Sequence, residues 1–172
     1  MSEDSAVHER TYSWTDPAPT AGVVGSMPGL DMLLAIAKGT LPPPPIMDTM
    51  GMSFVLAEQG RVVFALTPAP WHYNPLGTVH GGVLATLLDT ATGCAVHSTL
   101  PAGVGYTSMD LATRFLRPVT LASGRLRCEG TVISSGRRAV VAEARVEDEA
   151  GRLVAHATST CMLLPLAEKP AG

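Results

Sequence analysis

The chain has 172 residues, of which 46% are hydrophobic and 16% charged, and carries a formal net charge of −3. This length fits one domain with an appended segment, and the apolar share is enough for a core or a core plus an oligomer interface. The acidic balance gives no general pull toward nucleic acid. Three widely spaced cysteines (Cys94, Cys128 and Cys161) with no CxxC pair exclude a disulfide framework and a zinc knuckle.

Met1-Ser2-Glu3-Asp4 is acidic and has no apolar run behind it, so it does not read as a secretory signal, and a cytoplasmic protein is expected. Residues 1–26 are polar, broken by Pro17 and Pro19, and read as loosely ordered. A short helix is predicted over 27–38, with Leu30, Leu33, Leu34 and Ala37 on one face. Pro42 to Pro45 lack the N–H donors a helix needs and are predicted to be extended. A domain boundary is placed there: 1–45 as an N-terminal extension, 46–165 as the core domain, 166–172 as a tail.

From Met52 the pattern turns to strands, 52–58 and 61–67, around a Gln59-Gly60 turn. Residues 68–79 hold Pro68, Pro70, Pro75 and Gly77 and read as a loop. A helix is predicted from His80 to His97, apolar on most faces, which calls for wrapping rather than laying on a surface. Asp89 is the single Asp, Glu, Lys or Arg between Val83 and Leu100, and it is expected to be a buried carboxylate with a task. With His97 and five Thr or Ser residues, that run is too polar for a membrane span. Four more strands follow, over 106–116, 124–134, 138–148 and 153–164. Val140, Ala142, Ala144 and Val146 alternate there with Val141, Glu143, Arg145 and Glu147. Short connections among them imply a mostly antiparallel sheet, and one long buried helix against it gives an α+β architecture.

The stretch Asn74-Pro75-Leu76-Gly77-Thr78-Val79-His80-Gly81-Gly82, with Asp89 and then Tyr106-Thr107-Ser108-Met109-Asp110, carries the chemistry. Over 46–165 the chain resembles the hotdog-fold acyl-CoA thioesterases of the phenylacetate-pathway, PaaI-like type. Asn74, His80-Gly81-Gly82, Asp89 and Ser108 fall at that family's spacing. The resemblance implies a hotdog fold, a sheet wrapped around one central helix. It also implies that the carboxylate of Asp89 does the hydrolytic work and that the Gly81 N–H holds the thioester oxygen.

The residues support that chemistry independently. Hydrolysis of a thioester needs a donor for the developing oxyanion and a base or nucleophile for the attack. A free N–H of Gly81 or Gly82 at the positive end of a helix serves the first need, and glycine lets the acyl group come close. Asp89 serves the second, with Asn74 and Ser108 as orienters of Asp89 or of the water. Gly81 and Asp89 are eight residues apart, about 12 Å along a helix axis at ~1.5 Å per residue, while reacting atoms must approach within roughly 3–3.5 Å. One helix cannot bring both groups to one carbonyl, so the site is expected to be shared by two copies in a two-fold dimer. The expected assembly is a homodimer, further paired as a dimer of dimers.

Each residue also has a plainer use. His80 reads first as a helix cap, Asn74 equally as the cap of the Pro75–Gly77 turn, and Asp110 as an edge or interface residue. Gly82, Arg137 and Arg138 are the candidate substrate contacts. The two arginines sit in a turn where they meet the phosphates of coenzyme A or only solvent. His72 and His80 lack a standard metal-ligand spacing, so no metal is expected, and coenzyme A enters as part of the substrate rather than as a cofactor. No G-x-S-x-G elbow, P-loop or dinucleotide fingerprint is present. Two rival functions fit the same cleft: a hydratase or dehydratase of acyl thioesters, and a non-catalytic acyl-CoA-binding module.

Overall fold

The computed structural model describes residues 6–166. Its centre is a single sheet of seven strands: β1 (Met52–Glu58), β2 (Arg61–Leu66), β3 (Val104–Ser108), β4 (Ala112–Phe115), β5 (Leu126–Ser135), β6 (Ala139–Glu147) and β7 (Leu153–Pro165). The order is β1-β2-β5-β6-β7-β3, with β4 also paired to β7, and every neighbouring pair is antiparallel. Period-two patterning builds these strands. In β6, Val140, Ala142, Ala144 and Val146 are buried, whereas Glu143 and Arg145 are exposed.

Among the described residues four α-helices accompany the sheet: α1 (Ala18–Gly22), α2 (Gly29–Ala37), α3 (Pro45–Met50) and α4 (Gly81–His97). The sheet wraps α4, whose Val83, Leu84, Leu87, Leu88, Ala91, Ala95 and Val96 are buried. This is the α+β, hotdog-type layout that the sequence implied. Gly130 of β5 sets how deep the helix lies, because a Cβ there would stand 2.2 Å from the Ala91 carbonyl oxygen. The wrapping is one-sided. Gly82 and Asp89 are exposed and Ala85 and Thr86 only half-buried, so one stripe of α4 stays open in the single chain.

Three local outcomes differ from the sequence expectation. The single strand expected over 106–116 is two strands on one partner: β3 pairs with Cys161–Pro165 and β4 with Ala155–Thr158 of β7. Asp110 makes the break, its Oδ1 accepting the Thr160 N–H at 3.0 Å while its carbonyl accepts the Ser159 hydroxyl at 2.8 Å. The proline run is extended only as far as Pro44, and Pro45 opens α3. A proline in the first helical position loses nothing, since its N–H would have no partner in any case. Residues expected to be loose hold α1, whose buried Thr20 donates to the Pro42 carbonyl at 3.1 Å.

The helix expected over 27–38 runs from Gly29 to Ala37, with extended Pro28 as its cap. It docks on the C-terminal end of α4: the Gly29 N–H donates to Leu100 O at 2.9 Å, and a Cβ on Gly29 would sit 1.8 Å from His97 O. Leu33 of α2 and Met47 of α3 share one apolar cluster with Leu66, Leu84 and Leu87. Among the described residues no helix is long and apolar enough to cross a membrane.

Candidate active site

The N-terminus of α4 is built by a short loop folded back on itself. Asn74 Oδ1 accepts the N–H groups of Leu76 at 2.9 Å and Thr78 at 3.3 Å, and its amide donates to Thr78 Oγ1 at 3.1 Å. Asn74 therefore caps the Pro75–Gly77 turn, the structural use the sequence left open. Tyr73 and Val79 close the loop as an isolated antiparallel bridge. His80 is the cap of α4: it is extended (φ −60°, ψ 135°), and its Nδ1 accepts the Gly82 N–H at 2.8 Å. That bond separates the two glycines. The Gly82 N–H is spent on His80, while no acceptor among the described residues meets the Gly81 N–H. A first-turn N–H without an intrahelical acceptor, at the positive end of a helix, is a donor aimed outward. Gly81 lines a cavity of about 340 Å³ together with Asn74, Thr78, Leu84, Phe115 and Arg117. A Cβ at Gly81 would reach within 3.1 Å of the Phe115 ring.

Asp89 lies two turns along the same helix, on the open stripe. The expectation of a buried carboxylate does not hold in the single chain: Asp89 is exposed, because the sheet covers only the other faces of α4. Ser108, at the end of β3, donates its hydroxyl to Asp89 Oδ1 at 3.3 Å. Behind this pair lies a neutral wall that the sequence did not reveal: Cys94, Tyr106 and Cys161. Ser108 Oγ also stands 3.9 Å from Cys161 Sγ. Burial pushes the Cys94 thiol up to about 12, with the Asp89 charge adding to it. Burial likewise raises Tyr106 and Cys161, each with a further push from Asp89. No salt bridge to Asp89 occurs among the described residues. The carboxylate thus faces solvent with one hydroxyl to orient it and no cation to neutralise it, which suits a base or nucleophile.

The two arginines stand apart from both groups. Arg137 and Arg138 are exposed in the β5–β6 turn, past the C-terminal end of α4. They line a cavity of about 910 Å³ with Thr99, Leu100, Met162 and Leu164. His72 is buried in a structural bond set: its Nδ1 takes the Ala69 N–H at 3.1 Å and its Nε2 lies 3.1 Å from Met50 O. Among the described residues no cluster of His, Cys, Asp or Glu is arranged to hold a metal. Phe115 and Arg117 went unnoticed in the sequence. Only the pairing of β4 with β7 carries the end of that strand over to Gly81, and no local pattern encodes such a pairing.

Comparisons with known proteins bear on this geometry. A family model described as the thioesterase superfamily matches residues 76–155, which span the α4 N-terminus, Asp89 and Ser108. A candidate esterase of Halobacterium salinarum is 40% identical over 109 residues, covering 59% of this chain and 68% of that protein. The crystal structure of a candidate thioesterase from Ralstonia eutropha JMP134, a phenylacetic acid degradation-related protein, superposes with a TM-score of 0.69 at 30% identity. That match covers 76% of this chain and 98% of the other. A Streptococcus mutans UA159 protein solved with acetyl CoA bound is similar at a TM-score of 0.62 and 25% identity, over 68% of this chain and 91% of that one.

Proposed function

The chain belongs to the thioesterase superfamily and is a thioester hydrolase, and from that premise we propose that it cleaves an acyl-coenzyme A to free acid and coenzyme A in sites shared by two copies. The observation that carries this reading is the open stripe of α4. It leaves the Gly81 N–H unspent at one point and Asp89 exposed about 12 Å further along at ~1.5 Å per residue. Two such helices laid antiparallel, stripe to stripe, bring Gly81 of one chain opposite Asp89 of the other. The unpaired outer edge of β3 lies beside the same stripe and can extend the sheet across the pair.

The Gly81 N–H donates a hydrogen bond to the thioester oxygen as negative charge builds there and the carbonyl carbon becomes tetrahedral. Asp89 from the other copy, held by Ser108, takes a proton from the attacking water, or attacks the carbonyl carbon itself to form a mixed anhydride that water then opens. In either route the C–S bond breaks, the sulfur leaves with the electron pair, and the coenzyme thiol takes up a proton. His80 and Asn74 act by shaping the loop that presents Gly81. Acetyl CoA in the Streptococcus mutans relative supports the coenzyme A ester as the substrate class. Arg137 and Arg138 fit the phosphates. From Asp89 to His97, the last residue of α4, is eight residues, about 12 Å at ~1.5 Å each, and the arginines lie past that end, a distance an extended pantetheine arm spans. Arginine forks suit phosphate groups there.

The test is thiol release from a panel of acyl-CoAs, with Asp89→Ala and Gly81→Val chains assayed alone and mixed. Each homodimer is expected to be inactive and the mixed population to recover activity from the heterodimer's one intact site. Recovery of nothing, with heterodimers present, defeats the shared site. An enoyl absorbance change without thiol, or binding without turnover, defeats the acyl-CoA hydrolase reading.

A further inference from the structure

The N-terminal arm touches the loop that presents Gly81 through a chain of bonds the proposed chemistry does not use. Arg10 is its anchor. Its guanidinium donates from Nη1 to Thr49 O at 2.8 Å and from Nη2 to Asp48 O at 2.9 Å, two carbonyls in the last turn of α3. The same group stands over two rings, 4.7 Å from the centre of Tyr12 and 4.6 Å from that of Trp71. Trp71 and its neighbour His72 form the short turn that leads into the site loop, and their rings meet edge to face at 5.7 Å.

The connection then runs through the backbone. Met50, the last residue of α3, faces His72 Nε2 with its carbonyl at 3.1 Å. Because Nδ1 accepts the Ala69 N–H, Nε2 carries the proton and donates to Met50 O. The His72 carbonyl in turn accepts the His80 N–H at 2.7 Å. His80 caps α4 and takes the Gly82 N–H, leaving Gly81 as the free donor. A continuous path of hydrogen bonds and one cation–ring stack therefore joins Arg10 to the residue beside the oxyanion donor. Arg10 ties α3 and the Trp71 turn together at the point where the path begins.

We infer that residues 10–14 form a strap for the site loop, and that Arg10 is a positioning residue for the Gly81 N–H. This rests on the oxyanion role proposed above for Gly81. An oxyanion donor must sit within a few tenths of an ångström of its place, and small misplacements caused far from the chemistry reduce turnover. A two-point guanidinium contact to α3 that also stacks on the Trp71 ring ties two segments together in a way a lysine cannot.

The experiment uses the full chain with Arg10→Ala, Arg10→Lys and, as a milder cut of the same strap at an exposed ring, Trp71→Leu. Three readouts are taken: kcat and KM for the best acyl-CoA, the melting temperature, and amide hydrogen exchange of residues 68–82. Expected for Arg10→Ala is a kcat lower by roughly tenfold to a hundredfold with KM changed less than about twofold. Exchange should be faster at Ala69 and His80 and unchanged in β5 to β7. Arg10→Lys should fall between Arg10→Ala and wild type, and Trp71→Leu should change kcat in the same direction by less. Unchanged kcat and unchanged exchange over 68–82 overturn the inference. Exchange rising across the whole sheet also overturns it, since the arm would then hold the fold rather than the loop. Should the wild type turn over no acyl-CoA, the hydrolase reading fails instead, while the exchange measurement still decides whether the strap exists.

Discussion

The two ends of α4 lie in opposite surroundings. At the C-terminal end, α2 presses so close that Gly29 has no room for a Cβ against the His97 carbonyl, and Leu100 receives a bond from the same residue. At the N-terminal end Gly82 is exposed and the Gly81 N–H meets no acceptor among the described residues, and midway along the helix Asp89 faces outward. The apolar faces of the helix run along its whole length, so they do not account for the difference. It comes from what the chain lays over each end. The covered end is tuned for packing, and the open stripe keeps its polar groups exposed.

Substitutions at both ends and a change of pH sharpen that contrast. The largest effect is expected from Asp89→Asn at the open end. Losing the base should reduce kcat by roughly 10²–10⁴-fold while leaving the melting temperature nearly unchanged, because the side chain is exposed and its one partner is a hydroxyl. Full activity in this variant removes Asp89 from the mechanism. Gly29→Ala at the covered end should behave in the reverse way. Its Cβ meets backbone rather than a flexible side chain, so a stability loss of about 1–3 kcal/mol is expected from overpacking. Thermal and urea denaturation measure it, and a loss within error shows that α2 is not seated as described. Gly81→Ala is the control, since its Cβ meets only the Phe115 ring at 3.1 Å, and its penalty should appear in turnover first.

The smallest effect is one of pH. Burial lowers the pKa values of His72 and of His97 below the ordinary 6.5. Each is depressed in the folded chain relative to the unfolded one, so the unfolded chain binds more protons as the pH falls below about 6.5. The stability these neutral rings provide is complete above that point and declines on acidification toward the lower folded values. Melting temperatures at pH 7.5 and 5.5 should show the decline. His97→Leu at the covered end should make it shallower, and an unaltered slope assigns the effect elsewhere.

Much of the layout could be read directly from residue order. The periods of β6 and α4, the Gln59-Gly60 hairpin and the cluster from Asn74 to Asp89 are local signals, and local signals survive translation into a fold. What escaped reading was set by contacts between distant segments. Asp89 looks buried from its neighbours in sequence, but exposure depends on which faces the sheet covers. The split between β3 and β4 depends on one carboxylate reaching Thr160. The division of labour between Gly81 and Gly82 depends on the rotamer of His80. The N-terminal arm, polar and proline-broken, resembles a loose tail, yet Arg10 has found two carbonyls and two rings on distant segments.

The interruption at Asp110 has a wider bearing. A long uninterrupted border of free N–H and C=O groups invites any extended peptide to add itself, in any alignment. Here that border is cut into one segment of five residues, β3, and one of four, β4, both held on β7, with the Asp110 carboxylate filling the Thr160 N–H of β7 at the break. An edge in such short pieces is poorly matched to the flat, indefinite stacking that leads to fibres.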